Sequence, residues 1–210
     1  MKTDLRKEQQ ATLDRPHANY SLPAKLFFLS MDLLTGKKTT LAKATLIEML
    51  ASIPYRAWEF SQYARMTRRY RDQAQVARAR EIISWSREAQ DNEHWHLLVL
   101  HEKMKEDHCR PPWFLSAPVA FLAIRSYSLF SRLLAWLHPR RAFLFNAEFE
   151  DHAEHVYAHF VQEHPEWEQQ PIRSEHVKAY ADLSTWADIF RRIGLDERNH
   201  MDRSLFFGGR

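Results

Sequence analysis

Glu93 and His96, and again Glu197 and His200, stand three residues apart, the spacing that puts two side chains on one face of a helix. A carboxylate and an imidazole so placed can share one metal ion. Either pair alone is compatible with a solvated helix face, since 12 His among 210 residues supply roughly one such spacing by chance. Order raises the signal. Glu48, in an apolar stretch, precedes Glu93 by 45 residues, Glu150 follows Glu93 by 57, and Glu197 follows Glu150 by 47. Each separation suits climbing half a long helix, turning, and descending half of the next. Carboxylates with one imidazole per ion favour iron or manganese over zinc and leave positions open for oxygen, and iron is the better match. A bundle interior would not take four glutamates without cations, because each unpaired buried carboxylate is strongly destabilising.

Those donors need long helices. Only 4 Gly, against many Leu, Ala, Arg, Glu and Gln, favours helix over sheet. Breakers divide the chain into a short apolar helix over 23–34 ended by Thr35-Gly36, and a second helix capped by Thr39 or Thr40 that runs to about Tyr70 with a kink at Pro54. A third helix spans about 72–107 and is closed by Pro111-Pro112. A fourth spans 113–137 and is broken at His138-Pro139. A fifth spans 140–163, and shorter and longer helices follow over 174–206. The expected fold is all-α, a ferritin-like antiparallel four-helix bundle with extra short helices. In such bundles a Glu from each of two helices and Glu-x-x-His from each of the other two surround a pair of metal ions. Residues 1–38 are expected as an N-terminal arm and short helix, and 39–210 as the di-iron bundle domain.

Composition excludes several classes. The single cysteine, Cys109, leaves no disulfide framework and no thiolate cluster, which points to a reducing compartment. The charged first fifteen residues lack the apolar core of a signal peptide, and no charge-free run is long enough to span a bilayer. No acidic residue lies between Asp107 and Glu148, while Arg110, Arg125, Arg132, Arg140 and Arg141 do, among the most apolar residues of the chain. A basic, aromatic helix of this kind suits the headgroup region of a membrane, so monotopic association with a lipid surface is expected. A second basic run, Arg65 to Arg80, carries no nucleic-acid motif and reads as a solvated or lipid-facing surface; no nucleic-acid partner is expected.

Four segments carry a family resemblance. Leu46-Ile47-Glu48-Met49-Leu50-Ala51-Ser52-Ile53-Pro54-Tyr55 resembles the first motif of alternative oxidases, and of plastid terminal oxidases in particular. Asn92-Glu93-His94-Trp95-His96-Leu97 resembles their Asn-Glu-x-x-His-Leu motif. Phe149-Glu150-Asp151-His152-Ala153 with Tyr157 is similar to the plastid form of the third, and Asp196-Glu197-Arg198-Asn199-His200 to the fourth. The likeness spans about 39–205. Lys43 stands where the family has Arg, Arg198-Asn199 where Ala and another residue are usual, and Gly194 is uncommon inside a ligand helix.

The resemblance implies a quinol oxidase on one leaflet, on the cytoplasmic (or stromal or matrix) face, with two Fe ions held by Glu48, Glu93, His96, Glu150, Glu197 and His200. It would couple oxidation of ubiquinol or plastoquinol to four-electron reduction of O2 to water. Tyr157 would be a redox-active tyrosine. By position in the sequence, Asn92 is placed to orient the cluster through hydrogen bonds, and Asp196 and Asp91 are the nearest carboxylates to take the outer imidazole protons. Lys43, Ile47, Ala153 and Val156 would line the quinol channel. His94, His101, His152 and His155 are further histidines near the motifs, and His152 is at best a quinone contact. A homodimer is possible, though no heptad register supports it. The nearest rival is a di-iron quinone hydroxylase of the demethoxyubiquinone type, against which Pro54-Tyr55 and Tyr157 argue. A non-enzymatic metal-binding bundle is the third reading.

Overall fold

A computed structural model describes residues 3–209. Every regular element among them is helical: α1 (Leu5–Asp14), α2 (Leu22–Thr35), α3 (Leu41–Arg68), α4 (Gln73–Glu106), α5 (Ala117–Leu137), α6 (Pro139–Glu163), α7 (Glu175–Tyr180) and α8 (Trp186–Gly208), with 3-10 turns at Trp113–Leu115 and Pro165–Glu168. An isolated bridge joins Pro171 and Thr185. Among the described residues no helix is long and apolar enough to cross a membrane.

The helix starts follow the capping chemistry of the sequence. Thr40 Oγ1 accepts from the Lys43 N–H at 3.1 Å, and Asp72 Oδ1 from the Gln75 N–H at 3.1 Å, each satisfying a donor the first turn leaves open. Two features differ from expectation. The helix expected over 113–137 is a 3-10 turn followed by α5, because Pro118 has no N–H to give and is accommodated in a first turn, here behind the N-cap residue Ser116. The N-terminal arm is itself helical: Asp4 caps α1 by accepting from Lys7. α3 is continuous through Pro54.

The chain divides into two compact units, one comprising Thr40–Phe143 with the residues from Phe207 onward, the other the residues up to Thr39 with Leu144–Phe206. In the first unit α4 and α5 pack on α3. Its core joins Tyr55 and Trp58 of α3, Ile82 and Trp85 of α4, Ala135 of α5, and Phe143 and Phe207. Trp58 stacks on Trp85 with ring centroids 5.4 Å apart, and Tyr55 meets both edge-on, the geometries aromatic pairs prefer. This stack sets the register of the two helices. Glu48 lies ten residues before Trp58, and Glu93 and His96 eight and eleven after Trp85. At 1.5 Å per residue along antiparallel neighbours, those are rises of about 15, 12 and 16 Å, so all three arrive at one level.

α5 buries Tyr127, Ser131 and Ala135 in its unit and packs the half-buried Leu134 against the same core. Phe121, Leu122, Leu129, Leu133, Trp136 and Leu137 are exposed, as are Arg125 and Arg132.

In the second unit the core is built around Phe190 of α8, which lies between Trp167 (centroids 4.6 Å) and Tyr157 (6.0 Å). Arg191, on the next position, is a junction. Its Nε donates to Gln9 Oε1 of α1 at 2.7 Å, its Nη1 to Asp188 Oδ1 at 2.8 Å, and its guanidinium pairs with the Glu168 carboxylate, which Arg6 also contacts. In α2, Leu22, Leu26, Leu29 and Leu33 form an exposed stripe at helical spacing, Leu33 being 80% exposed.

Gly194 of α8 faces α6: a Cβ added there would lie 3.5 Å from Tyr157 Cβ and 3.7 Å from the Glu154 carbonyl. Those are ordinary contact distances, so Gly194→Ala should raise stability by about 0.5 to 1 kcal/mol in denaturant unfolding through helix propensity. Gly194→Leu should lower it. Arg191, with burial opposing and Arg6 assisting, holds the Glu168 carboxyl below its ordinary value of 4.5. A depressed native pKa stabilises fully above the unfolded value and is lost as pH falls through the native one. Arg191→Ala should therefore cost about 2 kcal/mol near neutrality, screened because Glu168 is partly exposed. The difference from wild type should narrow in acid unfolding curves below about pH 4.5.

Candidate metal centre

Each unit carries a buried triad of two glutamates and one histidine. In the first, Glu48 comes from α3 and Glu93 and His96 from successive turns of α4. His96 Nδ1 lies 3.6 Å from Glu48 Oε2 and 3.5 Å from Glu93 Oε2. In the second, Glu150 comes from α6 and Glu197 and His200 from α8, with His200 Nδ1 3.7 Å from Glu197 Oε2. None of the six is more than 7% exposed. Within each triad, one donor atom per residue lies within 4.8 Å of the others. Ligands held about 2.0 to 2.2 Å from one ion are at most ~4.4 Å apart, so each triad is close to coordination geometry. Two carboxylates and a neutral imidazole carry a charge near −2, and a divalent cation removes the repulsion that burial would otherwise intensify. The donor sets fit a hard cation of the iron or manganese class.

The neighbours of Glu150 show how this part of α6 is neutralised. Asp151 and Glu154, both buried, are met by arginines. Asp151 Oδ1 accepts from Arg15 at 2.5 Å, and its Oδ2 from the Ala18 N–H at 3.0 Å and the Tyr20 hydroxyl at 2.7 Å. Burial pushes the Asp151 carboxyl upward, but those three donors outweigh it and hold the group below its ordinary range. Tyr20, by burial and by its bond to Asp151, is held well above the usual phenol value. Glu154 accepts from Thr12 at 2.6 Å, from Arg198 at 2.8 Å and from Arg15 at 2.7 Å. Glu150 is held differently: Asn146, one turn earlier, donates Nδ2–H to its Oε1 at 2.7 Å and is itself 3.2 Å from Ser204 Oγ. A neutral amide orients the carboxylate without cancelling its charge, as a metal ligand requires.

Asn146 was not singled out from the sequence, although an Asn one turn before a ligand Glu is a legible signal. Asn92 is half-buried beside Glu93. Asp196 is buried and its carboxylate accepts from the Tyr180 hydroxyl at 2.7 Å and from Arg192, while Asp91 is exposed. Tyr157 is buried two turns after Glu150, its ring stacked on Phe190. Lys43 and Ile47 are buried on α3 within five residues of Glu48, and Ala153 is buried and Val156 half-buried on α6.

The remaining histidines fall outside the triads. His94 and His101 are exposed. His152 stacks on Phe28 of α2 with centroids 4.2 Å apart. A third group, His17, Asp151 and His155, also has donors within 4.8 Å, but its His155 ring is turned to backbone acceptors. His155 Nδ1 faces the Asp151 carbonyl at 2.7 Å and Nε2 the Arg15 carbonyl at 3.0 Å. Both ring nitrogens therefore point at backbone oxygens rather than at a common ion position.

The alternative oxidase family model matches residues 5–208. The chain belongs to the alternative oxidase family. No curated protein matches it. Members of the family are di-iron proteins acting on quinol and oxygen, and they associate with one face of a membrane. The donor class of the two triads agrees with that chemistry.

Metal content should follow the triads. Wild-type protein loaded with ferrous iron and desalted should retain about two ions per chain, and His96→Ala or His200→Ala no more than about one. Exposed His94→Ala should retain the full complement, and no third equivalent should appear at His17, Asp151 and His155. Iron determination on folded, desalted variants checks each point.

Proposed function

We propose that the two triads are the ligands of the family's two irons and that the chain is a membrane-surface quinol oxidase reducing O2 to water. The observation that carries this reading is the pair of buried Glu, Glu, His sets in a chain matched over nearly its whole length by one oxidase family. Glu48, Glu93 and His96 hold one part of the centre, and Glu150, Glu197 and His200 the other. Irons held by these six residues would supply the redox chemistry that links quinol oxidation to oxygen reduction. Two quinols give four electrons and four protons, which balance the conversion of one O2 into two waters.

The chain's own residues orient, insulate and move protons. Asn146 keeps Glu150 in place by its amide hydrogen bond. The arginines on Asp151 and Glu154 neutralise charge beside the centre, so that the carboxylates left for metal are the ligands themselves. Tyr157, in its apolar setting, is suited to give and regain a hydrogen atom, and Asn92 and Asp196 support the helices that carry the ligands. Lys43 and Ile47, with Ala153 and Val156, contact the quinol ring; Lys43 keeps the charge of the family's Arg without its bidentate fork. The exposed apolar and arginine residues of α5 attach the protein to one leaflet, where quinol is dissolved.

Membranes containing the protein should take up oxygen when supplied with ubiquinol or plastoquinol in the presence of cyanide, which silences haem oxidases. Glu93→Ala should abolish uptake, by at least about a hundredfold, if the centre does the chemistry. Equal uptake in the two preparations refutes the assignment, and recovery of a ring-hydroxylated quinone would identify a hydroxylase instead.

A further inference from the structure

The first unit contains a second feature that quinol oxidation does not use. A cavity of about 540 Å³ opens between the end of α3, the start of α4 and the C-terminal turn of α8. Arg65, Arg78 and Arg140 line it, with the amides of Gln62 and Gln75, and among the described residues no Asp or Glu does. Its walls also include Ile82, Phe143 and Phe207. The volume lies within the range of small-molecule sites.

The arginines are only partly satisfied by the protein. Arg140 Nε donates to the Gly208 carbonyl at 2.8 Å, and Arg78 is 3.5 Å from the Phe207 carbonyl. Neutral carbonyls at a helix C-terminus suit a cation but do not cancel its charge. Arg65 is half-buried, and among the described residues no carboxylate pairs with it. Burial and the like charges of Arg68, Arg69 and Arg78 all act against its protonated form. Cations gathered around an apolar-walled recess that no acidic side chain of the described residues lines form a site that an external anion would complete. Several guanidinium groups facing one space suit an anion with three or more oxygens better than a single carboxylate does.

We propose that this cavity binds a phosphate group. The phosphate sits against Arg65, Arg78 and Arg140, and where it is a lipid headgroup the apolar part lies along Ile82, Phe143 and Phe207. Two sources share this chemistry, a phospholipid headgroup and a free phosphate.

The test titrates purified full-length protein in detergent with dihexanoyl phosphatidic acid, inorganic phosphate and, as a phosphate-free control, dihexanoylglycerol, read by calorimetry. Dihexanoyl phosphatidic acid should bind, and Arg65→Ala should weaken it at least about tenfold. Arg71→Ala, which removes an exposed charge outside the cavity, should change it less than about twofold. Removing Arg65 relieves like-charge repulsion, so the variant should remain folded, as circular dichroism verifies. Arg65→Lys, with charge but no fork, should fall between. Inorganic phosphate binding as tightly as the lipid form identifies a free phosphate as the ligand; a strong preference for the lipid form identifies a headgroup. The proposal is overturned if neither phosphate probe binds, if dihexanoylglycerol binds as well as phosphatidic acid, or if Arg65→Ala and Arg71→Ala lose affinity equally. Quinol-driven oxygen uptake, measured on the same variants, reports the di-iron centre separately.

Discussion

A carboxylate withdrawn from water must be met by positive charge or by several hydrogen bonds, and among the described residues seven are buried: Glu48, Glu93, Glu150, Asp151, Glu154, Asp196 and Glu197. They divide by partner. Asp151, Glu154 and Asp196 are met by Arg15, Arg198 and Arg192. The other four gather with His96 and His200, side chains that can bind a cation as well as carry a proton. The division is sharpest on α6, where Glu150 takes a neutral amide from Asn146 while its neighbour Asp151 takes a guanidinium. Arginine thus marks the acids that hold the fold together, and histidine those available for metal.

The arrangement depends equally on parts that never touch metal. The Trp58–Trp85 stack and its edge-on Tyr55 lock α3 against α4. Because both helices rise equally per residue, that lock brings Glu48 level with Glu93 and His96 several turns away. In the second unit, α1 performs the corresponding service by ion pairs. Thr12 and Arg15, at and just beyond its C-terminal end, reach Asp151 and Glu154, and Arg198 of α8 joins the same network. Aromatic packing positions one triad, and charge pairing supports the other.

The surfaces divide in a similar way. α5 buries Tyr127, Ser131 and Ala135 and packs Leu134 on the core, yet leaves most of its bulky apolar residues outward. α2 packs Phe27 and Phe28 on α6 and leaves four leucines outward. Arginines serve two purposes beyond ion pairing: those on α5 are exposed beside apolar side chains, while Arg65, Arg78 and Arg140 surround a recess.

Much of this was legible in the order of residues, because helical periodicity is local. The Glu-x-x-His spacings placed each pair on one face, Thr40 announced the start of α3, Pro111-Pro112 the end of α4, and the apolar and basic character of α5 stood out without coordinates. The grouping of Glu48 with Glu93 and His96, and of Glu150 with Glu197 and His200, could be anticipated only as an ordered set. Their approach to 3.5–3.7 Å of an imidazole nitrogen rests on aromatic and ion-pair contacts between residues far apart in the chain. The arm before residue 15 read as charged and featureless, yet as α1 it supplies Arg15 to two buried acids, and its partners lie about 140 residues away. His155, a plausible ligand by residue type, is withdrawn from metal by two backbone carbonyls that no pattern announces. Sequence by itself determined which donors exist and which of them share a helix face, since that follows from 3.6 residues per turn. Tertiary structure alone decided which acids meet an arginine and which meet a histidine, because that choice is made by side chains brought together from distant segments.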